Sequence, residues 1–293
     1  MATTVSLINM KGGVGKTTLA FNLAWYCKSK AKMKVLAVDL DPQANLSQCI
    51  MGAKKYLAYL EAGKGSIIEI LKDPADLDLP KKVIYEVSKT TEISLSTLRQ
   101  GMPPREMLLH LVPSKLELSR VLKDPSEKEQ LLPQFLGTVG DKYDLIIIDC
   151  APTESILTTA AYLSSSHIVV PVKPEFLATI GFPFLARSLR DFREIYPKQI
   201  DIAGIVFNDK KRKPSPEEKR KPSPEERTAC EEVKKTASEY GWRVFENEVY
   251  RSDSFPGGSR ASTPVFRTKR AHRTTKTGFH EFAGEFLKSV GLK

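Results

Sequence analysis

The sequence predicts an α/β fold with a doubly wound, mostly parallel sheet and helices on both of its faces. Three observations support this prediction. Short, continuous apolar runs recur along the chain, as expected for strands that are buried on both faces. Segments with apolar residues at helical spacing separate these runs. A glycine-rich loop joins the first run to the first such segment, and this alternation is typical of a parallel sheet.

The first predicted elements are a strand, a glycine loop and a helix. "TVSLINM" (4–10) is a β-rich run that leads into the loop "KGGVGKTT" (11–18). "TTLAFNLAWYCKSK" (17–30) then places apolar residues at helical spacing. The order of strand, loop and helix is the setting that a phosphate-binding loop requires.

Four further strands complete the predicted sheet core. "KVLAVDLDPQ" (34–43) and "YDLIIIDCAPT" (143–153) are buried strands that run into aspartates. "HIVVPV" (167–172) and "IDIAGIVFN" (200–208) continue the pattern, with a helix over 181–196 between them. The doubly wound arrangement is therefore expected to extend to about residue 208.

Two regions interrupt this alternation within what we expect to be one domain over 1–293. Residues 51–135 predict two or more helices and the short strand "LHLVP" (109–113). "KRKPSPEE" occurs twice in tandem within 211–226, and its prolines, serines and charges predict a flexible surface insertion at about 210–227. A partner-binding arm is the alternative interpretation of that insertion.

Charge and cysteine content restrict the function classes. Lys and Arg outnumber Asp and Glu to give a formal net charge of +10, which favours polyanionic partners. The four cysteines lack C-x-x-C spacing and predict neither a zinc site nor a disulfide framework. No apolar run reaches the roughly 18 residues that a membrane span requires, so we expect a cytoplasmic location.

The glycine loop predicts a nucleotide site. "NMKGGVGKTT" (9–18) nearly spells the P-loop pattern G-x-x-x-x-G-K-[ST], with Met10 where the first glycine is expected. Backbone N–H groups of such a loop cradle a β-phosphate at the positive end of the helix, and Lys16 reaches the β- and γ-phosphates. A second lysine, Lys11, is surplus to that task. The predicted nucleotide-binding residues are Gly12, Gly13, Val14, Gly15, Lys16, Thr17 and Thr18.

Metal chemistry is predicted where the neighbouring strands end. The Thr17 hydroxyl can ligate Mg²⁺, which keeps several waters and takes few protein ligands. Asp149 suits the same site, and Asp39 and Asp41 leave a neighbouring strand towards that sheet edge. One of these two can support the metal while the other orients the attacking water. The residue types alone do not decide which aspartate has which role. Asp41 can instead cap the following helix.

Four stretches carry a family resemblance: "KGGVGKTT", "VLAVDLDPQANLS", "LHLVPSKLELSRV" and "YDLIIIDCAPT". Their combination within the first 210 residues is highly specific, and the chain resembles the ParA/Soj branch of the ParA/MinD family. These are P-loop ATPases with a deviant Walker A loop that position plasmids, chromosomes and other cargo. One departure is Ala151, because the family commonly has two prolines after the aspartate and cysteine that end this strand.

The resemblance implies roles for individual residues. Lys11 is the signature lysine, which crosses a dimer interface to touch the nucleotide of the other subunit. Asp149 is the Walker B aspartate, Asp41 positions the hydrolytic water, and Asp39 lies close to the metal. Asn208 contacts adenine. The "NDKK" that begins there is not the guanine signature N-K-x-D, so ATP is favoured over GTP.

Positive charge concentrates in residues 251–276, where seven Lys or Arg accompany one acidic residue. Mixed with Ser, Thr and Gly, these cations suit salt-dependent contact with a nucleic-acid backbone. A solvated basic face is the alternative, and the resemblance favours DNA. The family's DNA-contacting "I-P-R-N-V-R" corresponds to "VYRSDS", which keeps one arginine and has Ser254 for the other. The predicted DNA-binding residues are Arg251, Arg260, Arg267, Lys269, Arg270, Arg273 and Lys276.

The resemblance implies an ATP-switched partition or positioning ATPase. ATP and Mg²⁺ drive homodimerisation, the dimer binds nonspecific DNA of the nucleoid, and a ParB-like adaptor stimulates slow hydrolysis. The alternative is a MinD-like membrane-cycling division-site regulator, but the helix over 278–291 has a poorly basic polar face. An electron donor like the nitrogenase iron protein is a further alternative. It needs a pair of cysteines to hold a cluster, and no second cysteine matches Cys150. A small-molecule ATP-using synthetase is the remaining alternative, and the basic C-terminal region does not support it.

Overall fold

The sheet is built from eight strands in the computed structural model, which describes residues 2–72, 76–92, 105–123, 128–175, 178–210 and 224–292. The strands are β1 (Thr3–Leu7), β2 (Val35–Leu40), β3 (Tyr85–Glu92), β4 (Arg105–Val112), β5 (Leu145–Cys150), β6 (His167–Val172), β7 (Asp201–Lys210) and β8 (Val249–Tyr250). Their spatial order is β3-β4-β2-β5-β1-β6-β7-β8.

Helices connect the strands and cover both faces. The α-helices are α1 (Lys16–Ser29), α2 (Asn45–Met51), α3 (Ala53–Glu61), α4 (Ile67–Ile70), α5 (Leu79–Val83), α6 (Leu131–Val139), α7 (Ile156–Ser164), α8 (Ala178–Ile195), α9 (Pro224–Glu239), α10 (Ser254–Arg260) and α11 (Arg273–Ser289). Short 3₁₀ helices span Leu116–Lys123, Lys128–Gln130, Gly140–Lys142 and Val265–Arg267. Residues 211–223 of the predicted flexible insertion lie outside the described part of the chain.

The topology is doubly wound, as the sequence predicts. Among the described strands every neighbouring pair is parallel except β3 with β4. The prediction did not include β3 or β8. β3 is a mostly polar, largely exposed edge strand without an apolar run, and β8 has only two residues, so neither produces the pattern of a buried strand.

Two hydrophobic cores lie on opposite faces of the sheet because side chains alternate along each strand. In β5, Leu145 and Ile147 contribute to one core and the intervening Ile146 to the other. The first core also holds α1 and the aromatic residues of α11, and the second holds α6, α7 and α8. α11 therefore packs its apolar face on the sheet. No helix in the described ranges is both long and apolar enough to cross a bilayer.

The strand register brings the candidate site together. β1, β2 and β5 are adjacent and parallel, so their carboxyl ends meet at one edge of the sheet. Asp149 of β5 is level with Leu7 of β1 on one side and with Asp39 of β2 on the other. The glycine loop follows β1 directly, so it lies at the same edge as these two carboxylates.

Candidate nucleotide and metal site

The glycine loop ends in a backbone conformation that glycine favours. Gly13 and Gly15 have φ values of 74° and 88°, in the left-handed region, and α1 begins at the next residue, Lys16. A Cβ atom on Gly15 would lie 2.0 Å from Nδ2 of Asn208. The bare backbone at this point lets the strand β7 side chain approach the loop, and leaves the N–H groups at the start of α1 for an anion.

Gly15→Ala is therefore expected to displace the loop and to abolish nucleotide binding. The added methyl group meets Asn208, and the left-handed backbone costs an alanine about 1–2 kcal/mol. Isothermal titration with ATP and Mg²⁺ measures the loss, and circular dichroism checks the fold. Gly63→Ala is a matched control, because it has φ 61° but no atom within 4 Å of its Cβ position. Equal binding by wild type and Gly15→Ala would contradict this account of the loop.

The Lys16 side chain is folded back over its own loop. Its ammonium group donates to the carbonyl oxygens of Asn9 at 2.9 Å and Lys11 at 3.1 Å, and the residue is only 7% exposed. Burial lowers the pKa of Lys16, while the nearby charges of Asp149 and Asp41 oppose that shift. These carbonyl bonds hold the ammonium at the centre of the loop, where it can exchange them for phosphate oxygens.

Asp149 is the most unusual carboxyl group of the site. It is fully buried, and neither of its oxygens has a hydrogen-bond partner among the described residues. Burial raises the pKa of Asp149 well above its usual value, and the charge of Asp39 adds to the shift, while Thr17 and Lys16 oppose it. A buried carboxyl group without partners fits a hard cation with oxygen ligands, and the adjacent Thr17 hydroxyl extends the donor set.

Asp39 and Asp41 have different surroundings. Asp39 is fully buried and accepts hydrogen bonds from Ser47 N at 2.7 Å, Ser47 Oγ at 2.6 Å and Asp41 N at 3.2 Å. Burial raises the pKa of Asp39 to about 7, against the effect of these bonds. Asp41 Oδ1 accepts only a local bond, from Gln43 N at 2.9 Å. The capping bond to the first turn of α2 thus comes from Asp39, and the capping role considered for Asp41 is not observed.

Lys11 lies at the rim of the site and pairs within its own chain. Its ammonium group is 3.1 Å from Oε2 of Glu175, and its side chain is 25% exposed. Lys173 approaches Oε1 of the same Glu175 at 2.6 Å. The backbone N–H of Lys11 donates to Asn9 Oδ1 at 2.9 Å. Lys11 therefore points away from the loop that Lys16 occupies, towards the residues that follow β6.

A small pocket of about 140 Å³ adjoins the glycine loop. Asn208 lines it and also donates from Nδ2 to the Val14 carbonyl at 2.8 Å, so it ties β7 to the loop. Asp209 at the pocket wall has a left-handed φ of 55° and forms a two-bond ion pair with Arg251, at 2.8 and 3.0 Å. The other lining residues are Gly13, Gly15, Thr18, Tyr250, Ser252, Phe255 and Pro256.

The predicted DNA-binding residues do not form a single cluster. Arg251 lies beside the small pocket at the glycine loop, through its pair with Asp209. Arg267 instead donates to Ser29 Oγ at 2.7 Å, at the far end of α1. The 14 residues of α1 span roughly 20 Å, and Arg267 lies at the end of this helix that is remote from the glycine loop. Arg260, Arg267, Lys269, Arg270 and Arg273 are exposed, and Lys276 is half-buried.

Several residues of the site carried no signal in the sequence. Asn9 braces the loop by donating from Nδ2 to the Pro171 carbonyl at 2.7 Å. Ser47 holds Asp39, and Glu175 holds Lys11. Each of these contacts joins residues that are distant along the chain or lie on different elements. These contacts form because β1 lies beside β6 and because α2 begins beside β2.

Comparison with known proteins agrees with this geometry. A family profile described as an AAA domain matches residues 2–202. The sporulation initiation inhibitor protein Soj of Bacillus subtilis is 32% identical over 206 residues, which cover 70% of this chain and 72% of that protein. The chain belongs to the ParA/Soj family of P-loop ATPases. Membership confirms the predicted ATPase and makes it one of the partition and positioning ATPases.

Two further comparisons extend along more of the chain. The chromosome-partitioning ATPase Soj of Treponema pallidum is 28% identical over 255 residues, covering 86% of this chain and 84% of that protein. Among solved structures, the ATP complex of a Cyanothece McdA variant superposes with a TM-score of 0.76 at 18% identity, covering 100% of this chain and 97% of that one. That likeness shows the fold, and it confirms the predicted architecture of the P-loop type.

Proposed function

We propose that this ParA/Soj-type ATPase forms a dimer when it binds ATP and Mg²⁺, holds nonspecific DNA in that state, and releases it when a partner stimulates hydrolysis. The observation that supports the proposal is that the two lysines of the loop lie in different positions. Lys16 sits over the loop, whereas Lys11 lies at the rim and pairs with Glu175. A second cation at this position has a use if a second subunit brings a nucleotide to it.

The nucleotide is ATP and the metal is Mg²⁺. The loop from Gly12 to Thr18 holds the phosphates, and Asn208 lies beside the base. Thr17 and Asp149 would hold the metal, and Asp39, which Ser47 holds in place, would lie close to it. When bound, Mg²⁺ neutralises phosphate charge and favours attack on the γ-phosphoryl group. The unpartnered oxygens of Asp149 support this assignment.

Hydrolysis by this site is slow. Lys16 exchanges its two carbonyl bonds for phosphate oxygens and stabilises the charge that develops on them. Asp41 orients the attacking water, and its single local hydrogen bond leaves one carboxylate oxygen for that purpose. The catalytic residues are thus Lys16, Asp41 and, from the other subunit, Lys11. With little else to activate water, the ATP-bound state is long-lived until a ParB-like adaptor acts.

Dimerisation depends on contacts that exist only in the ATP-bound pair, because a ligand shifts an equilibrium only through differential binding. Lys11 supplies one such contact when it exchanges Glu175 for the phosphates of the other subunit. The exchange of one charge-assisted bond for another keeps its cost small. We place the protein in the cytoplasm, associated with the nucleoid, as one domain. The packing of α11 on the sheet supports this over a membrane-cycling role.

DNA binding is tested by charge reversal of Arg267 and Arg270 to Glu. We expect this change to abolish retention on nonspecific DNA at low salt in the presence of ATP, because both arginines are exposed and none of the described carboxylates forms an ion pair with them. A matched control reverses Lys54 and Lys55, which are also exposed. Retention is measured with ADP, ATP and a nonhydrolysable analogue. Unchanged retention by the arginine variant would contradict the proposal.

A further inference from the structure

Lys28, in the last turn of α1, is a buried lysine without an acidic partner. The residue is 3% exposed, and its ammonium group donates to Ser88 Oγ at 3.1 Å. No carboxylate of the described residues forms an ion pair with it, in contrast to Lys32, which pairs with Glu92 at 3.1 Å. A buried charge is normally paired, so a lysine that keeps its charge here gains from an anion that comes from outside the chain.

Arg267 brings a second positive charge to the same place. Its guanidinium group donates to Ser29 Oγ at 2.7 Å, next to Lys28 in the chain. Its Cζ atom lies 5.2 Å from the ring centre of Trp25 and 5.9 Å from that of Phe266. These contacts hold an exposed arginine in one position. Burial lowers the pKa of Lys28, and repulsion from Arg267 and Lys32 adds to that shift.

The helix C-terminus accounts for only part of this arrangement. The carbonyl end of α1 favours one nearby cation, typically by about 0.3–1 kcal/mol. The helix end does not account for two cations, the buried Lys28 and the aromatic-packed Arg267, that lie close together and form no ion pair with a described carboxylate. Arg267 presents a planar donor group to solvent, and Lys28 strengthens the positive potential beneath it. Planar donors of this kind match phosphate oxygens.

We propose that Arg267, backed by Lys28 and braced by Trp25 and Ser29, forms a phosphodiester-binding subsite for nucleic acid at the end of α1 remote from the nucleotide. This inference rests on the DNA binding proposed above and names where the backbone is held. The subsite lies at the opposite end of α1 from the glycine loop, so one subunit can hold DNA and ATP simultaneously.

The test compares Arg267→Gln, Lys28→Met, the double variant and Lys54→Gln, an exposed lysine elsewhere on the surface. Binding of a random-sequence duplex is measured by fluorescence anisotropy with Mg²⁺ and a nonhydrolysable ATP analogue over a series of salt concentrations. The slope of log K against log salt is negative, and we expect Arg267→Gln to reduce its magnitude by about one per subunit. Lys28→Met weakens binding several-fold, and the double variant equals Arg267→Gln because both groups act on one phosphate.

Further outcomes separate this subsite from the broader proposal. If wild type binds the duplex and Arg267→Gln keeps its salt slope, the subsite is wrong and DNA binding stands. If wild type binds no duplex in any nucleotide state, DNA binding and the subsite both fail. Arg267-dependent binding to anionic phospholipid vesicles in place of the duplex would overturn the nucleic-acid assignment. Lys28→Gln replaces Lys28→Met if that variant does not fold, and Lys28→Arg, which keeps the charge, is expected to retain the wild-type affinity.

Discussion

Asp149→Asn is expected to reduce Mg²⁺-dependent ATP hydrolysis by on the order of 100-fold or more, because a catalytic metal contributes several kcal/mol to the transition state. The amide of the variant has nearly the shape of the buried carboxyl group, so the substitution removes the charge of a metal ligand and changes the packing around it little. Turnover is measured as phosphate release over a series of Mg²⁺ concentrations. Wild-type turnover by the variant would remove Asp149 from the metal site.

The same substitution is expected to stabilise the protein when nucleotide and metal are absent. The pKa of Asp149 is raised in the folded state, so ionisation opposes folding. That destabilisation begins above the unfolded pKa and is complete once the pH exceeds the folded pKa. The uncharged amide of the variant does not experience it. We therefore expect the variant without ligand to have a higher melting temperature than wild type near neutral pH.

Thermal unfolding with and without ligand distinguishes the two effects of Asp149→Asn. ATP and Mg²⁺ bind the folded state and raise the melting temperature of wild type by mass action. The melting temperature of Asp149→Asn without ligand is higher than that of wild type, and it rises little when Mg²⁺ is added to ATP. Asp201→Asn is the control, because it removes an exposed carboxylate at the start of β7, outside the site. A lower melting temperature for Asp149→Asn without ligand would contradict the assignment of Asp149 as a destabilising group.

Lys11→Ala is expected to bind ATP with nearly wild-type affinity and to lose hydrolysis and ATP-dependent dimerisation. ATP binding within one subunit relies on Lys16 and the loop backbone, which Lys11→Ala leaves intact. The fold is retained because Glu175 keeps its pair with Lys173 at 2.6 Å. Loss of a positioned cation at the transition state costs about 100-fold in turnover, by analogy with a removed oxyanion donor.

Two measurements separate the roles of the lysines. ATP affinity is determined by titration calorimetry, and turnover by phosphate release. Lys16→Ala is expected to lose both properties, whereas Lys11→Ala loses only turnover. Lys64→Ala, which removes an exposed lysine outside the site, serves as the control. Equal loss of ATP affinity in Lys11→Ala and Lys16→Ala would mean that Lys11 acts within its own subunit.

The sequence predicted the parts of the fold that depend on local pattern. Apolar runs located β1, β2, β5, β6 and β7, and the glycine loop located the start of α1. β3 was not found because its residues are mostly polar at an exposed edge and its pairing with β4 is a tertiary event. Helix α8 begins at Ala178, three residues before the start predicted from apolar spacing.

The position of the candidate site was predictable to the extent that a single strand or loop carries its residues. Lys16, Thr17 and Asp149 follow from the loop and the strand end alone. Glu175 could not be assigned to Lys11 because 164 residues separate them, and only the pairing of β1 with β6 brings them together. The basic region reads as one stretch in the sequence. In the structure it runs along α1, so Arg251 and Arg267 lie at opposite ends of that helix.

The central claim is that ATP joins two subunits through Lys11, and light scattering tests it most directly. Mass is measured for wild type and Lys11→Ala with Mg²⁺ and either ADP or a nonhydrolysable ATP analogue. We expect the 32.7 kDa mass of one chain for wild type with ADP and twice that mass with the analogue. Lys11→Ala stays at the mass of one chain in both. A wild-type mass that does not change with nucleotide, or a Lys11→Ala dimer as stable as wild type, would contradict the claim.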